Sequence, residues 1–264
     1  MSLPELVHLS AVLVLLGVIV ADVEQLAEPE QLRPSGLYSW AVLRTARPWT
    51  VAGPLARPLE SILEVPGVLV LLGLRVGLAV LTLATWGTPV GEAALAGVLA
   101  AGLLVHVRNL YGMDGSDQMQ SIVLTALVVY GLAPTATGRA LAFGFIAAQS
   151  ILSYLASGYA KLISPTWRSG AAVLGVMNTR SYGGPILARA VGRRRGVSRA
   201  ICWATIVFEC FMPFLVFLGH GPCLAFIAAG IAFHAGIALT MGLNIFFWSF
   251  VATYPALYWL SGLT

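Results

Sequence analysis

Long apolar runs separated by short polar breaks dominate the chain. They extend from Leu3 to Val23, Val65 to Trp86, Ala93 to Val107, Met119 to Pro134, Ala140 to Ile163, Ala200 to Gly219, Cys223 to Met241 and Ile245 to Leu263. Several reach the roughly 20 residues that a helix needs to cross about 30 Å of hydrocarbon. The pattern predicts an all-α fold: a polytopic membrane bundle of about eight transmembrane helices. The first run has neither a basic stretch ahead of it nor a small-residue cleavage site after it, so a retained helix is expected rather than a cleaved signal.

Composition strengthens this reading. Of 264 residues, 58% are hydrophobic and 10% charged, against roughly 25% charged in ordinary soluble domains. A net charge of +4 would hint at nucleic acid in a soluble protein. Here the basic residues flank the apolar runs, where they set membrane topology, so a lipid bilayer and no nucleic acid is the expected partner.

The connection from Ser164 to Arg199 carries Arg168, Arg180, Arg189, Arg193, Arg194, Arg195 and Arg199 and no acidic residue. The positive-inside rule makes it cytoplasmic in a multi-pass protein of the inner cell membrane. With eight spans, the Asp22 to Glu64 connection, which holds Arg33, Arg44, Arg47 and Arg57, falls on the same side, as does Arg108 to Gly115. Within the first, "SWAVLRTARPW" reads either as a surface helix with Trp40 and Trp49 at the interface or as a plain loop. No internal repeat is visible, and residues 1–264 read as one domain.

Ionisable side chains inside such runs are costly, by roughly 2.5 to 3.5 kcal/mol on insertion scales, so each must face a partner or a polar cavity. The single lysine, Lys161, ends the run "QSILSYLASGYAKLISPTW". On a helix, Ser150, Tyr154, Ser157 and Lys161 fall within about 60° of one another, forming a polar stripe that leads to the lysine. Snorkelling to the interface is the simpler explanation of that lysine.

The segment "HVRNLYGMDGSDQMQ" concentrates His106, Arg108, Asn109, Asp114 and Asp117; it reads as a functional polar loop or as an interfacial turn with Asp114 or Ser116 capping the next helix. Glu209 lies in the middle of an apolar run, just before Pro213, and a structural ion pair with Arg75 would account for it. His234 and Asn244 bracket the junction of the last two runs.

Soluble-enzyme signatures are absent: the chain has no phosphate-binding loop, no G-x-S-x-G, no H-E-x-x-H and no zinc spacing. No metal is expected, and Cys202, Cys210 and Cys223 read as small apolar packing residues.

The stretch "QSILSYLASGYAKLISPTWRSGAAV" resembles a segment of the vitamin K-dependent gamma-carboxylase and its bacterial relatives, the HTTM (horizontally transferred transmembrane) and SdpB-like proteins. Gln149, Tyr154, Gly158, Lys161, Leu162, Trp167 and Gly170 stand at the matching positions. "FHAGIALTMGLNIFF", with His234, Met241, Gly242, Leu243 and Phe246, is similar to a late-helix motif of the bacterial family, and "RNLYGMDGSDQM" to its polar loop. The resemblance is strongest over residues 105–249.

This resemblance implies a quinol-dependent enzyme of the carbon–carbon lyase type, with Lys161 as the catalytic base. Its co-substrates would be an isoprenoid quinol (vitamin K hydroquinone or menaquinol), O₂ and, where carboxylation follows, CO₂. A buried lysine is a workable base because burial disfavours its charged form. His106, Arg108, Asn109, Asp114, Asp117, Gln149, Tyr154, Trp167, Glu209 and His234 would support the site.

The carboxylase carries a large soluble domain after its membrane helices, whereas this sequence closes on "YWLSGLT"; a peptide substrate would be recognised by loops or by a separately encoded docking protein. The carboxylase also works on the lumenal face, while the arginines place Lys161 toward the cytoplasm. Two other classes compete: a non-catalytic SdpB-like maturation factor for a secreted peptide, and a DoxX- or MauE-like membrane redox subunit acting through its cysteines.

Overall fold

A computed structural model describes residues 1–36, 38–50, 52, 54, 56–109, 115–179, 182 and 194–264. Its main helices are α1 (Leu3–Ala27), α2 (Gly67–Ala84), α3 (Pro89–Arg108), α4 (Ser116–Leu132), α5 (Ala136–Ile163), α6 (Arg195–Phe211), α7 (His220–Met241), α8 (Asn244–Val251) and α9 (Tyr254–Leu260). No strand occurs among the described residues.

Among the described residues, six stretches are long and apolar enough to cross a membrane: α1, α2, α3, α5, the continuous segment Arg195–Leu218, and α7. Counting apolar runs predicts about eight, and local chemistry explains the difference. Helix α4 has 17 residues; it starts after Gly115, whose φ of 90° is left-handed, and ends where Ala133 turns extended ahead of Pro134. The last run breaks at Ala252–Thr253. Pro255 has no N–H for the carbonyl of Val251, where α8 stops, and sits instead in the first turn of α9, where that N–H is not needed. The break is buried from Ser249 to Leu257, which keeps its irregular backbone away from lipid.

The helices alternate in direction, so the bundle has two unlike ends. At one end the turns are tight and capped: Thr88 Oγ1 accepts from Gly91 N at 3.2 Å and Thr135 Oγ1 from Gly138 N at 3.0 Å. His8 stacks on Trp86 there, with ring centroids 5.3 Å apart, and His220 Nδ1 meets Ser261 Oγ at 2.9 Å. The opposite end carries the long connections. There Asn244 Nδ2 donates to Glu24 Oε1 at 2.6 Å, and Trp203 Nε1 donates to the Arg168 carbonyl at 3.2 Å.

Helix order therefore gathers Arg33, Arg44, Arg47, Arg57, Arg168, Arg194, Arg195 and Arg199 at the loop-rich end. Arg139 stays at the other end, where its Nε donates to the Ala133 carbonyl. Arg180, Arg189 and Arg193 lie outside the described residues.

The larger core joins α1, α4, α5, α7 and the broken α8–α9 pair through residues such as Val14, Leu124, Ile146 and Phe226. Outward faces are apolar as well: Leu239 is 87% exposed and Leu132 76%. A surface of this kind suits hydrocarbon and not water.

The connection between α1 and α2 is a folded element. Leu32, Trp40, Leu43 and Leu63 join Leu72, Ala101 and Val105 in a second core. Arg108, fully buried, ties this element to the end of α3: its Nε donates to the Leu63 carbonyl at 2.9 Å, and its Nη2 to the carbonyls of Tyr38 at 2.7 Å and Leu32 at 3.2 Å.

Candidate functional site

Two polar clusters are buried in the half of the bundle nearer the loop-rich end. The first centres on Arg75 of α2. Its Nη1 donates to Asp22 Oδ1 of α1 at 2.9 Å and its Nη2 to Gln120 Oε1 of α4 at 2.8 Å. The guanidinium lies flat on α3 at Gly102, where a Cβ would stand 3.3 Å from Nη2 and 3.4 Å from Cζ and Nε.

Glu209 thus does not pair with Arg75, because Asp22 already does. The apolar-run boundary placed Asp22 in the following connection, yet Val7, Ala11, Val14, Val18 and Asp22 recur every three or four residues along the buried face of α1. That spacing was the available signal for a residue that sequence reasoning missed.

His106, Asn109 and Asp117 border the same cluster, around a gap of about 20 Å³ shared with Arg75 and Gln120. Asp22 Oδ2, Arg75 Nε and Gln120 Nε2 have no hydrogen-bond partner among the described residues. A space of this size admits one water molecule and no substrate. Arg108, read from sequence as a site residue, instead holds backbone carbonyls. Asp114 lies outside the described residues.

The second cluster belongs to Lys161, in the last turn of α5. Its Nζ donates to both oxygens of Glu209 on α6, at 2.8 and 2.6 Å, and stands 5.2 Å from the centre of the Trp167 ring. The carboxylate side chain is 7% exposed and the lysine 20%, so the pair is sheltered and still reachable.

Two sequence features bring the partners together. A Cβ on Gly158 would stand 2.9 Å or less from Glu209 C, Cys210 N and Cys210 Sγ, so only glycine lets α5 approach α6 this closely. Pro213 offers no N–H to the carbonyl four residues earlier, which is that of Glu209, and the chain tightens into a 3₁₀ helix over Met212–Leu218.

One to two turns toward the bundle centre, Tyr154 Oη lies 2.7 Å from His234 Nε2 on α7 and 2.8 Å from Tyr254 Oη on α9. His234 is stacked on Phe250 at 4.5 Å, and Tyr154 meets Phe208, Phe226 and Phe250 edge-on. His234 Nδ1 has no partner among the described residues. The chain of hydroxyls can therefore run in either direction, with the imidazole accepting from Tyr154 or donating to it.

Gly230 makes room for this chain, since a Cβ there would overlap the Tyr254 hydroxyl. Ser150 Oγ, one turn before Tyr154, pairs with Thr253 Oγ1 at 2.8 Å across the helix break. Of the expected stripe, Ser150 and Tyr154 face inward and Lys161 is half-buried, whereas Ser157 is exposed and Gly158 takes the inner position.

The structure therefore divides the residues selected from sequence. Lys161, Glu209, Trp167, Tyr154 and His234 gather on α5, α6, α7 and the segment after α5, with Gln149 half-buried on α5. His106, Asn109 and Asp117 join Arg75 instead. Tyr254 was missed, since a tyrosine before a proline in an apolar run carries no mark of a buried hydrogen bond.

Among the described residues, no group of three or more His, Cys, Asp or Glu side chains could hold a metal ion. Cys202, Cys210 and Cys223 are free thiols. Comparison with protein-family models, with curated proteins and with solved structures finds no match to this chain.

Proposed function

We propose that this protein is a quinol-dependent membrane enzyme of the vitamin K-dependent carboxylase type, in which the Lys161–Glu209 pair accepts the quinol hydroxyl proton. The observation that carries this reading is the ammonium held on both oxygens of a carboxylate between two membrane helices. A charge pair there is costly and is most often tied to proton or substrate handling. The pair gains one proton in total, on the amine once its own proton has passed to Glu209 or on the carboxylate directly.

The surroundings suit an aromatic, long-tailed reactant. The rings of Phe208, Phe226, Phe246 and Phe250 surround Tyr154 and His234. An apolar groove of about 390 Å³ between α1, α7 and α8–α9 has Tyr254 in its wall and room for part of an isoprenoid tail. The overall reaction is quinol plus O₂ giving quinone epoxide plus water. If a substrate carbon is carboxylated in step, it loses a proton and gains CO₂.

Lys161 shares its end of the bundle with the arginine-rich connections, which supports an inner-membrane protein whose site opens toward the cytoplasm. A peptide substrate, or a separately encoded docking protein that presents one, would then be met by the loops of that end.

The test is direct. Purified protein in lipid nanodiscs is supplied with menaquinol or vitamin K hydroquinone and O₂, and the products are examined by mass spectrometry. Epoxide is expected from wild type and not from Lys161→Ala. Absence of epoxide with both quinols, or equal epoxide from the variant, overturns the reading.

A further inference from the structure

At the loop-rich end, the folded connection between α1 and α2 forms a half-open cavity of about 610 Å³ with mixed polar and apolar walls, within the range of roughly 300 to 1,000 Å³ that accommodates small ligands. Trp40, Arg44, Thr45, Thr50, Arg57 and Glu60 line it. Trp40 and Thr50 are each 2% exposed and form a fixed floor, and the element that carries them is anchored by Arg108. The cavity therefore belongs to built structure.

Its charge is unbalanced. Arg44 is paired with Glu60, at side-chain exposures of 34% and 49%, while Arg57 is exposed and brings the lining to a net single positive charge.

The depth of the cavity follows from its neighbours. Val42 is 60% exposed, Trp49 54% and Tyr38 40%. Apolar and aromatic side chains turned outward beside arginines mark the bilayer interface, where Trp and Tyr settle at headgroup level. A pocket at that depth faces lipid phosphates, and a guanidinium fork matches phosphate oxygens.

We infer that this cavity binds a phosphodiester anion, presented by the headgroup of an anionic glycerolipid, with Arg57 and the free face of Arg44 on the phosphate oxygens and Glu60 limiting the site to one negative charge. The site is independent of the Lys161 chemistry. It gives the α1–α2 connection a role as a lipid-reading platform.

Native mass spectrometry of the detergent-purified full-length protein tests this, with phosphatidylglycerol, phosphatidylcholine and the soluble phosphodiester glycerophosphoglycerol titrated separately. Wild type is expected to retain phosphatidylglycerol in preference to phosphatidylcholine. Arg44→Gln with Arg57→Gln should weaken that retention by about fivefold per arginine. Glu60→Gln, which frees Arg44, should strengthen it, and misfolding cannot imitate a change in that direction. Equal retention of the two lipids, or an Arg44→Gln/Arg57→Gln protein that binds like wild type, overturns the proposal. Binding of glycerophosphoglycerol as tight as that of phosphatidylglycerol overturns the lipid assignment and makes a soluble phosphodiester the ligand.

Discussion

Two buried ion pairs among the described residues are made of similar parts and held in different ways. Arg75 and Asp22 have side chains 6% and 0% exposed, and the guanidinium ties α2 to α1 and α4 and lies on α3 at Gly102. Lys161 and Glu209 join only α5 and α6, the lysine is 20% exposed, and an aromatic ring lies beside it. A planar, permanently charged group with several donors suits a fixed crosslink. A lysine, with a single rotatable ammonium that can lose its proton, suits chemistry. Enclosure and residue type make the first pair a structural staple and, on the proposed function, the second the working site.

Breaking one partner of each pair should expose the difference. Arg75→Leu leaves the Asp22 carboxyl without its partner in a wholly enclosed position, at a cost of about 3 to 5 kcal/mol. Poor yield or a large fall in melting temperature is expected. Combining it with Asp22→Leu should recover most of that loss, because an apolar pair of similar volume replaces the charges.

For the other pair, Lys161→Met should cost about 1.5 to 3 kcal/mol, the range for a hydrogen bond to a charged group. Adding Glu209→Leu should restore stability and leave epoxide formation at background. Thermal unfolding and product analysis on the same four preparations separate the roles. A Lys161→Met/Glu209→Leu protein that still forms epoxide would make the second pair a staple too.

Part of this contrast was legible in the residues. The apolar runs predict where each helix lies to within a few residues, and the basic connections predict which end they share. Lys161 and Glu209 were each conspicuous by the cost of a charge in hydrocarbon, but which acid meets which base was not visible. Partner choice depends on helix neighbours, and one apolar helix face looks much like another in sequence. Arg75 could equally have met Glu209, and only the packing of α2 against α1 gives it Asp22. Two of the eight expected spans are not among the six long apolar helices for local reasons: α4 stops at 17 residues, and Pro255 interrupts a run whose composition alone reads as continuous.

Gly158 tests whether the closeness of α5 and α6 is what assembles the second site. Alanine there must displace the backbone at Glu209–Cys210, an overpacking cost of about 1 to 3 kcal/mol. The Lys161–Glu209 contact should loosen, while the Arg75 cluster on α1 to α4 stays intact. Gly158→Ala is therefore expected to lower epoxide formation more than it lowers melting temperature. Gly102→Ala, which presses on the Arg75 guanidinium, should show the reverse order.

The smallest change concerns the hydroxyl chain beside the second site. In Tyr254→Phe, Tyr154 loses its hydrogen bond to Tyr254 and keeps the 2.7 Å contact with His234 Nε2. Loss of one hydrogen bond costs about 0.5 to 1.5 kcal/mol, and the ring's apolar packing in the groove wall is retained. If the chain only stabilises the core, the variant should lose a few degrees of melting temperature and keep its turnover. If the chain serves Lys161 and Glu209, Tyr154 in the variant can donate only to His234 Nε2, one of the two hydrogen-bond directions is lost, and turnover should fall several times further than stability explains. Tyr154→Phe, which removes the middle of the chain and leaves His234 with neither nitrogen paired, should then exceed Tyr254→Phe in both measures. Equal turnover in wild type and both variants would confine the working site to Lys161, Glu209 and Trp167.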